Sequence, residues 1–435
     1  VTSPIFTSDF KASPFWWEAF TPQALPEIPV PKQARVVIVG AGYAGLNAAL
    51  ELNREGIDCV VLDASEPGFG ASTRNGGMVS GGVNVGKRYM AKALTEEESA
   101  PYLTDAADAF AMIEDLIAHE KIECGWTRAG YFLGAWCKSH FDGMAKKVST
   151  LNKYAKSEAY VVPPEQQRAE IGSDYYKGGM VVGRAAHLHP ALFYKALLDL
   201  CVKRGIAIAS KTPATKITQD GAGWRVETPR GAIQAGDVII ATNGYTGDVT
   251  PDLKRRVVPV GSYIIATEEL SPDLAASLSP KNRSFADTRR VLTYYRMSPD
   301  GKRLIFGGRA KFGHTDPVAT APILHGFMTD RFPQLKGTRI THAWTGNVAF
   351  TLDEIPHMGK FNNLHYALGC NGSGIAMMSY LGHQTARKIA GKVNSVCAFD
   401  RPEFPDHPLY TGNTWFLPWI GRYFRTRDWI DRRFH

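Results

Sequence analysis

Hydrophobic and polar positions along this chain follow two periods. ARVVIVG (34–40) is an unbroken apolar run rich in β-branched residues, the pattern of a strand buried on both faces of a parallel sheet. Beyond a glycine-rich turn, Leu46, Ala49, Leu50 and Leu52 fall at helical spacing and predict a helix from about Ala44 to Arg54. DCVVLDA (58–64) then reads as a second buried strand. Later, GWRVETPRGAIQAGD (223–237) predicts a hairpin with a glycine-containing turn, and GDVIIATNG (236–244) another buried strand. HYALGC (365–370) predicts a strand, a glycine loop and a helix starting near Gly374. No apolar run reaches the roughly 18 residues of a membrane span.

The turn after the first strand carries Gly40, Gly42 and Gly45, a G-x-G-x-x-G spacing. The first glycine permits the tight turn, the second lets backbone approach a pyrophosphate, and the third lets the helix pack on the strand. Asp63 closes the second strand about 20 residues on, where a carboxylate accepts hydrogen bonds from ribose hydroxyls. An acid there disfavours a 2′-phosphate and hence NADP. NAD and FAD remain open at this point.

GFGASTRNGGMVSGG (68–82) bears on that choice. A nicotinamide enzyme continues its alternating strands and helices, whereas a flavin needs further polar backbone along its ribityl chain and pyrimidine ring. DVIIATNGYTG (237–247) and GCNGSGIA (369–376) add two more loops of small polar residues. The helix after Gly374 offers its amide-rich end to the flavin edge where charge gathers on reduction.

Size and composition narrow the picture. A chain of 435 residues exceeds one small core, so two domains are expected. A hydrophobic content of 44% and a charged content of 21% describe an ordinary globular protein. The N-terminal stretch, which begins at Val1, shows no secretory pattern, so a cytoplasmic protein is expected. Cys59, Cys124, Cys137, Cys201, Cys370 and Cys397 are scattered without metal-like pairing, so reduced thiols and no metal are expected. His187, His189, His342 and His357 also lack a metal-like spacing and read as structural. The net charge of +8 accompanies no nucleic-acid motif, and much of it sits on Arg422, Arg425, Arg427, Arg432 and Arg433.

The ordered set GAGYAG, GASTRNGG, HLHPALFYKALLDLCVKRGI, ATNGYT, TYYRMSPDGKRLIFGGR, WTGNVAFTLDEIPHMG and GCNGSGIA resembles the FAD-dependent D-amino-acid oxidase, glycine oxidase and sarcosine oxidase superfamily. The γ-glutamylputrescine oxidase-like branch resembles it most. The resemblance implies a mixed α/β and α+β fold: a Rossmann-type, glutathione-reductase-like FAD domain and a discontinuous substrate domain on a mainly antiparallel sheet. Residues 33–90, 186–250 and 340–395 would form the FAD domain, and 91–185 and 251–339 the substrate domain. Residues 1–32 and 396–435 would be surface arms. It also implies that Gly40, Gly42, Tyr43, Ala44, Gly45 and Asp63 hold the ADP half. Ala71, Ser72, Arg74, Asn75, Gly76 and Gly77 would follow the pyrophosphate and flavin, and Ile217 would meet adenine. Thr242, Asn243, Gly244, Gly346, Gly369, Asn371, Gly372, Ser373, Gly374 and Ile375 would complete the cofactor site.

By the same resemblance the enzyme takes a hydride from the carbon beside an amine nitrogen onto flavin N5, and the imine hydrolyses to an aldehyde. Relatives grip a substrate carboxylate with an arginine after W-x-G or a lysine after S-G-H-G. Here those positions hold Val348 and Ala376, which points to an amine, or an amino acid whose carboxylate lies away from the reacting carbon. An amino-acid or N-methyl-amino-acid oxidase and a non-catalytic FAD-binding subunit are the alternatives. Gly346 stands where some relatives attach flavin through cysteine, and GASTRNGGM lacks histidine, so FAD is expected to be non-covalent. Tyr263, Tyr294, Tyr295, Arg296, Arg309, Trp344 and Asn347 are the candidate pocket residues. Lys311 competes with Arg309 as the cation that favours oxygen reduction. Oxygen and other electron acceptors stay open, as does a homo-oligomer. In the tail WFLPWIGRYFRTRDWIDRRFH (415–435), tryptophans alternate with arginines. It is expected to pack on the body or a second subunit, with contact to a membrane surface as the alternative.

Overall fold

The computed structural model describes residues 4–81, 90–313, 315–392 and 397–434. Gly82, which ends the second glycine-rich stretch, and residues 393–395 lie outside them. The first apolar run forms the strand Gln33–Val39, whose residues Val36, Val37 and Ile38 are fully buried. It pairs in parallel with Cys59–Leu62 on one side and with Gly231–Ile240 on the other. Ala207–Ala209 closes one flank of this sheet. On the other flank Gly231–Ile240 continues antiparallel into Gly223–Thr228 and Lys216–Asp220. Leu364–Leu368 runs parallel to the end of Gly231–Ile240, with His357–Phe361 beside it, making eight strands. The helices Tyr43–Arg54 and Gly374–Ile389 cross closely, because a Cβ on Gly382 would lie 2.0 Å from the Ala44 carbonyl oxygen.

A second sheet has nine strands in the order Phe6–Lys11, Ile340–Thr351, Val257–Thr267, Leu304–Gly308, Thr293–Met297, Ser284–Asp287, Tyr131–Gly134, Gly179–Val182 and Ala159–Val162. It is mainly antiparallel, with parallel pairs at Phe6–Lys11/Ile340–Thr351 and Ser284–Asp287/Tyr131–Gly134. Residues 298–301 turn the hairpin between Thr293–Met297 and Leu304–Gly308, with Gly301 at φ +72°.

Two expected boundaries shift. The strand Ile340–Thr351 was expected with the cofactor sheet, but it pairs along its length with Val257–Thr267 in the other one. The N-terminal arm is more than a surface wrap: Phe6–Lys11 is an edge strand and Trp16 is fully buried. Its polar FTSDFK sequence hid the strand, as an edge strand needs no apolar run. The C-terminal arm ends in the helix Leu417–Phe434, packed on the body through Leu417, Gly421 and Phe424. All six cysteines are free. Among the described residues, no group of His, Cys, Asp or Glu is placed to hold a metal ion.

Candidate active site

Four loops meet where the two sheets face each other. In the first, Gly40 adopts φ +108°, and a Cβ there would sit 2.9 Å from the Ala241 carbonyl oxygen. A Cβ on Gly45 would fall 1.9 Å from the Gly40 carbonyl oxygen, so helix and strand touch backbone to backbone. The helix Tyr43–Arg54 begins at Gly42 with no side-chain cap, so the amides just after Tyr43, whose own N–H meets Ser72, are left to face an anion. Asp63 Oδ2 accepts the Ala41 N–H and Oδ1 the Ser65 N–H, both at 2.9 Å. Burial raises the Asp63 carboxyl above its ordinary pKa, and the two amides oppose that shift.

The second loop is built as a rigid arch. The Tyr43 N–H donates to Ser72 Oγ at 3.3 Å, and the Tyr43 hydroxyl donates to the Ser72 carbonyl at 2.6 Å. Asn75 Nδ2 donates to the Ala71 and Ser72 carbonyls, while its Oδ1 accepts the Gly77 N–H at 2.9 Å. Two indoles hold the arch from behind: Trp16 Nε1 donates to the Asn75 carbonyl at 2.8 Å and Trp344 Nε1 to the Arg74 carbonyl at 2.7 Å. The Arg74 guanidinium lies 4.6 Å from the ring centres of both Trp17 and Phe69.

The third loop, Thr242–Gly244, is tied to the fourth by Asn243, whose Oδ1 accepts the Gly369 N–H at 3.0 Å and the Cys370 N–H at 3.3 Å. Asn347 Nδ2 donates to the Gly244 carbonyl at 3.2 Å, joining the substrate-side strand. Asn371 locks the fourth loop to Ile340–Thr351, since its N–H donates to the Ala349 carbonyl and its Oδ1 accepts the Thr351 N–H. The helix Gly374–Ile389 begins there with no side chain capping it from Ser373.

A cavity opens between these loops and the nine-stranded sheet. Asn75, Gly76, Gly372, Ser373, Gly374 and Ile375 line its loop side. The facing wall carries Ser262, Tyr294, Arg309, Asn347 and Glu354, with Val348 and Phe350 among the apolar residues. The Tyr294 ring fits between two glycines: a Cβ on Gly76 would come within 2.9 Å of it, and one on Gly307 within 2.3 Å. Its hydroxyl meets Ser262 Oγ at 2.9 Å. Burial pushes its pKa up to about 12, so it is a neutral phenol. Arg309 Nη1 donates to the Arg290 carbonyl at 3.1 Å, and its guanidinium lies 4.7 Å from the Phe350 ring centre.

Several expected site residues lie elsewhere. Tyr263 and Tyr295 face the apolar core of the nine-stranded sheet, where Tyr295 meets the Tyr176 hydroxyl at 2.7 Å and Tyr263 donates to the Gly313 carbonyl. Their strand neighbours Ile264 and Tyr294 take the cavity face, because side chains alternate across a strand. Trp344 is buried behind Arg74 and supports the arch from outside the cavity. Lys311 is exposed to solvent. Arg296 is buried beyond the cavity wall, 5.2 Å from the Trp16 ring centre. Its Nη1 reaches the Gly77 carbonyl at 3.4 Å, while its Nε and Nη2 make no hydrogen bond among the described residues. Burial lowers its pKa to about 9.

Ile217 pairs with Val226 on the outermost strand, Lys216–Asp220, away from the glycine turn. The segment beside Asp63 is instead Lys211–Thr212, whose amides donate to the Ser65 and Asp63 carbonyls. Ser262 and Glu354 were not singled out by their sequence. Glu354 follows Asp353 in an ordinary-looking turn and has φ +56°, which nothing in its residue type announces.

These residues fit a flavin dinucleotide. Gly76, Gly346, Gly372 and Gly374 bring bare backbone to the cavity, two uncapped helix starts supply amide donors, and Asp63 supplies the carboxylate for ribose. Comparison with known proteins agrees. Residues 35–388 match the family model described as DAO, FAD dependent oxidoreductase. The chain is 31% identical over 398 residues to the γ-glutamylputrescine oxidoreductase of Escherichia coli strain K12, covering 90% of this chain and 92% of that one. It is also 31% identical to the probable oxidoreductase OrdL of Haemophilus influenzae, covering 86% and 87%. Among solved structures, glycine oxidase from Geobacillus kaustophilus superposes with a TM-score of 0.73 at 17% identity, covering 87% of this chain and 99% of that one.

Proposed function

The chain belongs to the DAO family of FAD-dependent oxidoreductases, and from that premise we propose that it oxidises the C–N bond of an amine whose carboxylate, if any, lies away from the reacting carbon. One observation carries this reading. Val348 and Ala376, which occupy the positions of the familiar carboxylate-gripping cations, both line the cavity. Arg309, just past the end of Leu304–Gly308, is a cation of the facing wall, while Arg74 lines the loop side. A buried carboxylate requires a paired cation, so the substrate's anionic group belongs near Arg309 and not near Val348. The E. coli relative is named for γ-glutamylputrescine, a polyamine derivative, which supports the same substrate class.

Bound FAD supplies the chemistry by accepting the hydride from the carbon beside the amine nitrogen. The chain's own residues orient and desolvate. Ile264, Val348 and Phe350 exclude water from the wall, and the neutral Tyr294–Ser262 pair offers a hydroxyl to the amine. A substrate entering as the free amine needs no side-chain base. The amides that open Gly374–Ile389 face the cavity and stabilise negative charge arising there. The imine product hydrolyses in water to an aldehyde and ammonia or an amine.

Anaerobic mixing of the FAD-loaded protein with two panels tests this. γ-Glutamyl polyamines and related N-alkyl amines should bleach the flavin rapidly, and glycine, sarcosine and simple D-amino acids slowly. Efficient bleaching by the second panel would establish the other reading, an amino-acid oxidase or dehydrogenase, which the presence of Arg309 on the wall favours. No bleaching by either panel in the isolated chain would leave a non-catalytic FAD subunit. Re-oxidation in air then separates oxygen from other acceptors.

A further inference from the structure

The helix Leu417–Phe434 has two faces of opposite character. Its inner face is fixed to the body. Asp428 Oδ1 and Oδ2 accept the backbone N–H groups of Arg290 and Val291, both at 2.9 Å, and Asp431 pairs with Arg290. Trp136 Nε1 donates to the Asp428 carbonyl at 2.6 Å, and a Cβ on Gly421 would lie 2.6 Å from the Phe312 ring. These contacts consume both acids of the helix.

The outer face has no such covering. Trp415, Trp419, Tyr423, Trp429 and Phe434 are between 50% and 66% exposed, an unusual density of large aromatic surface for one segment. Arg422, Arg427 and Arg433 are exposed among them, with Arg422 lying 5.6 Å from the Trp419 ring centre and Arg433 5.4 Å from that of Trp429. Tryptophan and tyrosine rings favour the boundary between acyl chains and headgroups, and arginine stems reach along apolar surface to place their charge among anions. Among the described residues no helix is long and apolar enough to cross a membrane, so the fitting attitude lies in the plane of the surface.

We propose that this outer face seats the protein on an anionic lipid surface. Charge decides against a second copy of the chain. A two-fold contact through this helix would set arginines against arginines, and neither Asp428 nor Asp431 is on the exposed face to answer them. Anionic headgroups answer all three outer-face arginines. The placement also has a functional side. The apolar cluster that holds Leu417 and Phe424 includes Val260 and Phe350, which line the cavity, so the lipid surface lies behind one wall of the reaction chamber.

Flotation of the full-length, FAD-loaded protein tests this, using phosphatidylcholine vesicles and vesicles in which a third of the lipid is phosphatidylglycerol. The protein should float with the anionic vesicles, remain behind with neutral ones, and be released by high salt. Replacing Trp419, Tyr423 and Trp429 together by serine should lower the bound fraction roughly ten-fold or more, with flavin absorbance and melting temperature unchanged. R422Q and R433Q together should weaken flotation on anionic vesicles. Failure of the parent protein to float, or equal flotation of the serine variant, overturns the proposal. So does a dimer, weighed by light scattering, that the serine variant converts to a monomer.

Discussion

The indole N–H of Trp344 donates to the carbonyl oxygen of Arg74 at 2.7 Å, joining the longest strand of the nine-stranded sheet to the arch of the second glycine loop. The bond crosses 270 residues of sequence and fixes the arch from the side opposite the cavity. W344F keeps the buried ring and removes the donor, leaving the Arg74 carbonyl short of a partner. FAD affinity should fall by about 3- to 10-fold, near the 1 kcal/mol of an ordinary hydrogen bond. Titration of the apoprotein with FAD measures it, and an unchanged Kd would reduce Trp344 to packing.

Gly45 sets a harder limit. An alanine Cβ would fall 1.9 Å from the Gly40 carbonyl oxygen, which is backbone and has no room to retreat. G45A should be purified with little or no bound flavin, read from the ratio of visible to ultraviolet absorbance. G76A meets the Tyr294 ring at 2.9 Å, and a ring can tilt. It should retain FAD while raising KM.

Arg309 is expected to grip the substrate's remote carboxylate. R309Q should lower kcat/KM by roughly 10- to 100-fold, the scale of a charge-assisted hydrogen bond. The loss should vanish for substrates whose carboxylate is converted to an amide. Equal losses for both would place Arg309 in the scaffold, through its bond to the Arg290 carbonyl.

His189 offers a pH test. Burial foremost, with the nearby Arg296 charge, lowers its pKa to about 4, while its Nδ1 accepts the Leu192 N–H at 3.3 Å as a helix cap. Between about pH 6.5 and 4 the unfolded chain binds a proton that the folded one refuses. Stability is therefore lost as pH falls through that window, at about 1.4 kcal/mol per pH unit for each such histidine. His187, lowered to about 3 by burial and Arg296, contributes in the same direction. H189N keeps a capping acceptor without a titrating ring, so its melting temperature should fall less steeply with acid than that of the parent.

The ion pair of Arg331 with Asp287, 2.8 Å apart with both side chains fully buried, anchors the far side of the nine-stranded sheet. R331M strands an acid in the core and should destabilise by about 3–5 kcal/mol. The further change D287L should recover part of the loss. Urea denaturation of the two variants measures both steps.

Much of the cofactor side was legible because glycine spacing is backbone geometry written directly in residue types. Gly40, Gly42 and Gly45 fall in the turn between the first strand and helix, Asp63 follows the second strand, and residues 71–77 form the arch. The substrate side was less legible. Along TYYRM, a shift of one residue exchanges cavity for core, and apolar neighbours on both faces gave no cue to choose Tyr294 over Tyr295. Arg296 shares the strand face of Tyr294, but two residues further along that face passes under Gly77 and leaves the cavity. Ile217 lies away from the glycine turn for another reason. The chain passes beside Asp63 in the irregular stretch after Ala209, and only then enters the hairpin whose apolar pattern drew attention.

The parallel pairing of Phe6–Lys11 with Ile340–Thr351 makes one sheet edge depend on segments far apart in the chain. The Thr7 hydroxyl donates to the Ile340 carbonyl, 333 residues further along, so this edge forms only when both segments are present. Trp16, a few residues on, completes the flavin-side arch through Asn75. Removing Phe6–Lys11 together with Trp16 should therefore cost both the sheet edge and the indole that donates to the Asn75 carbonyl.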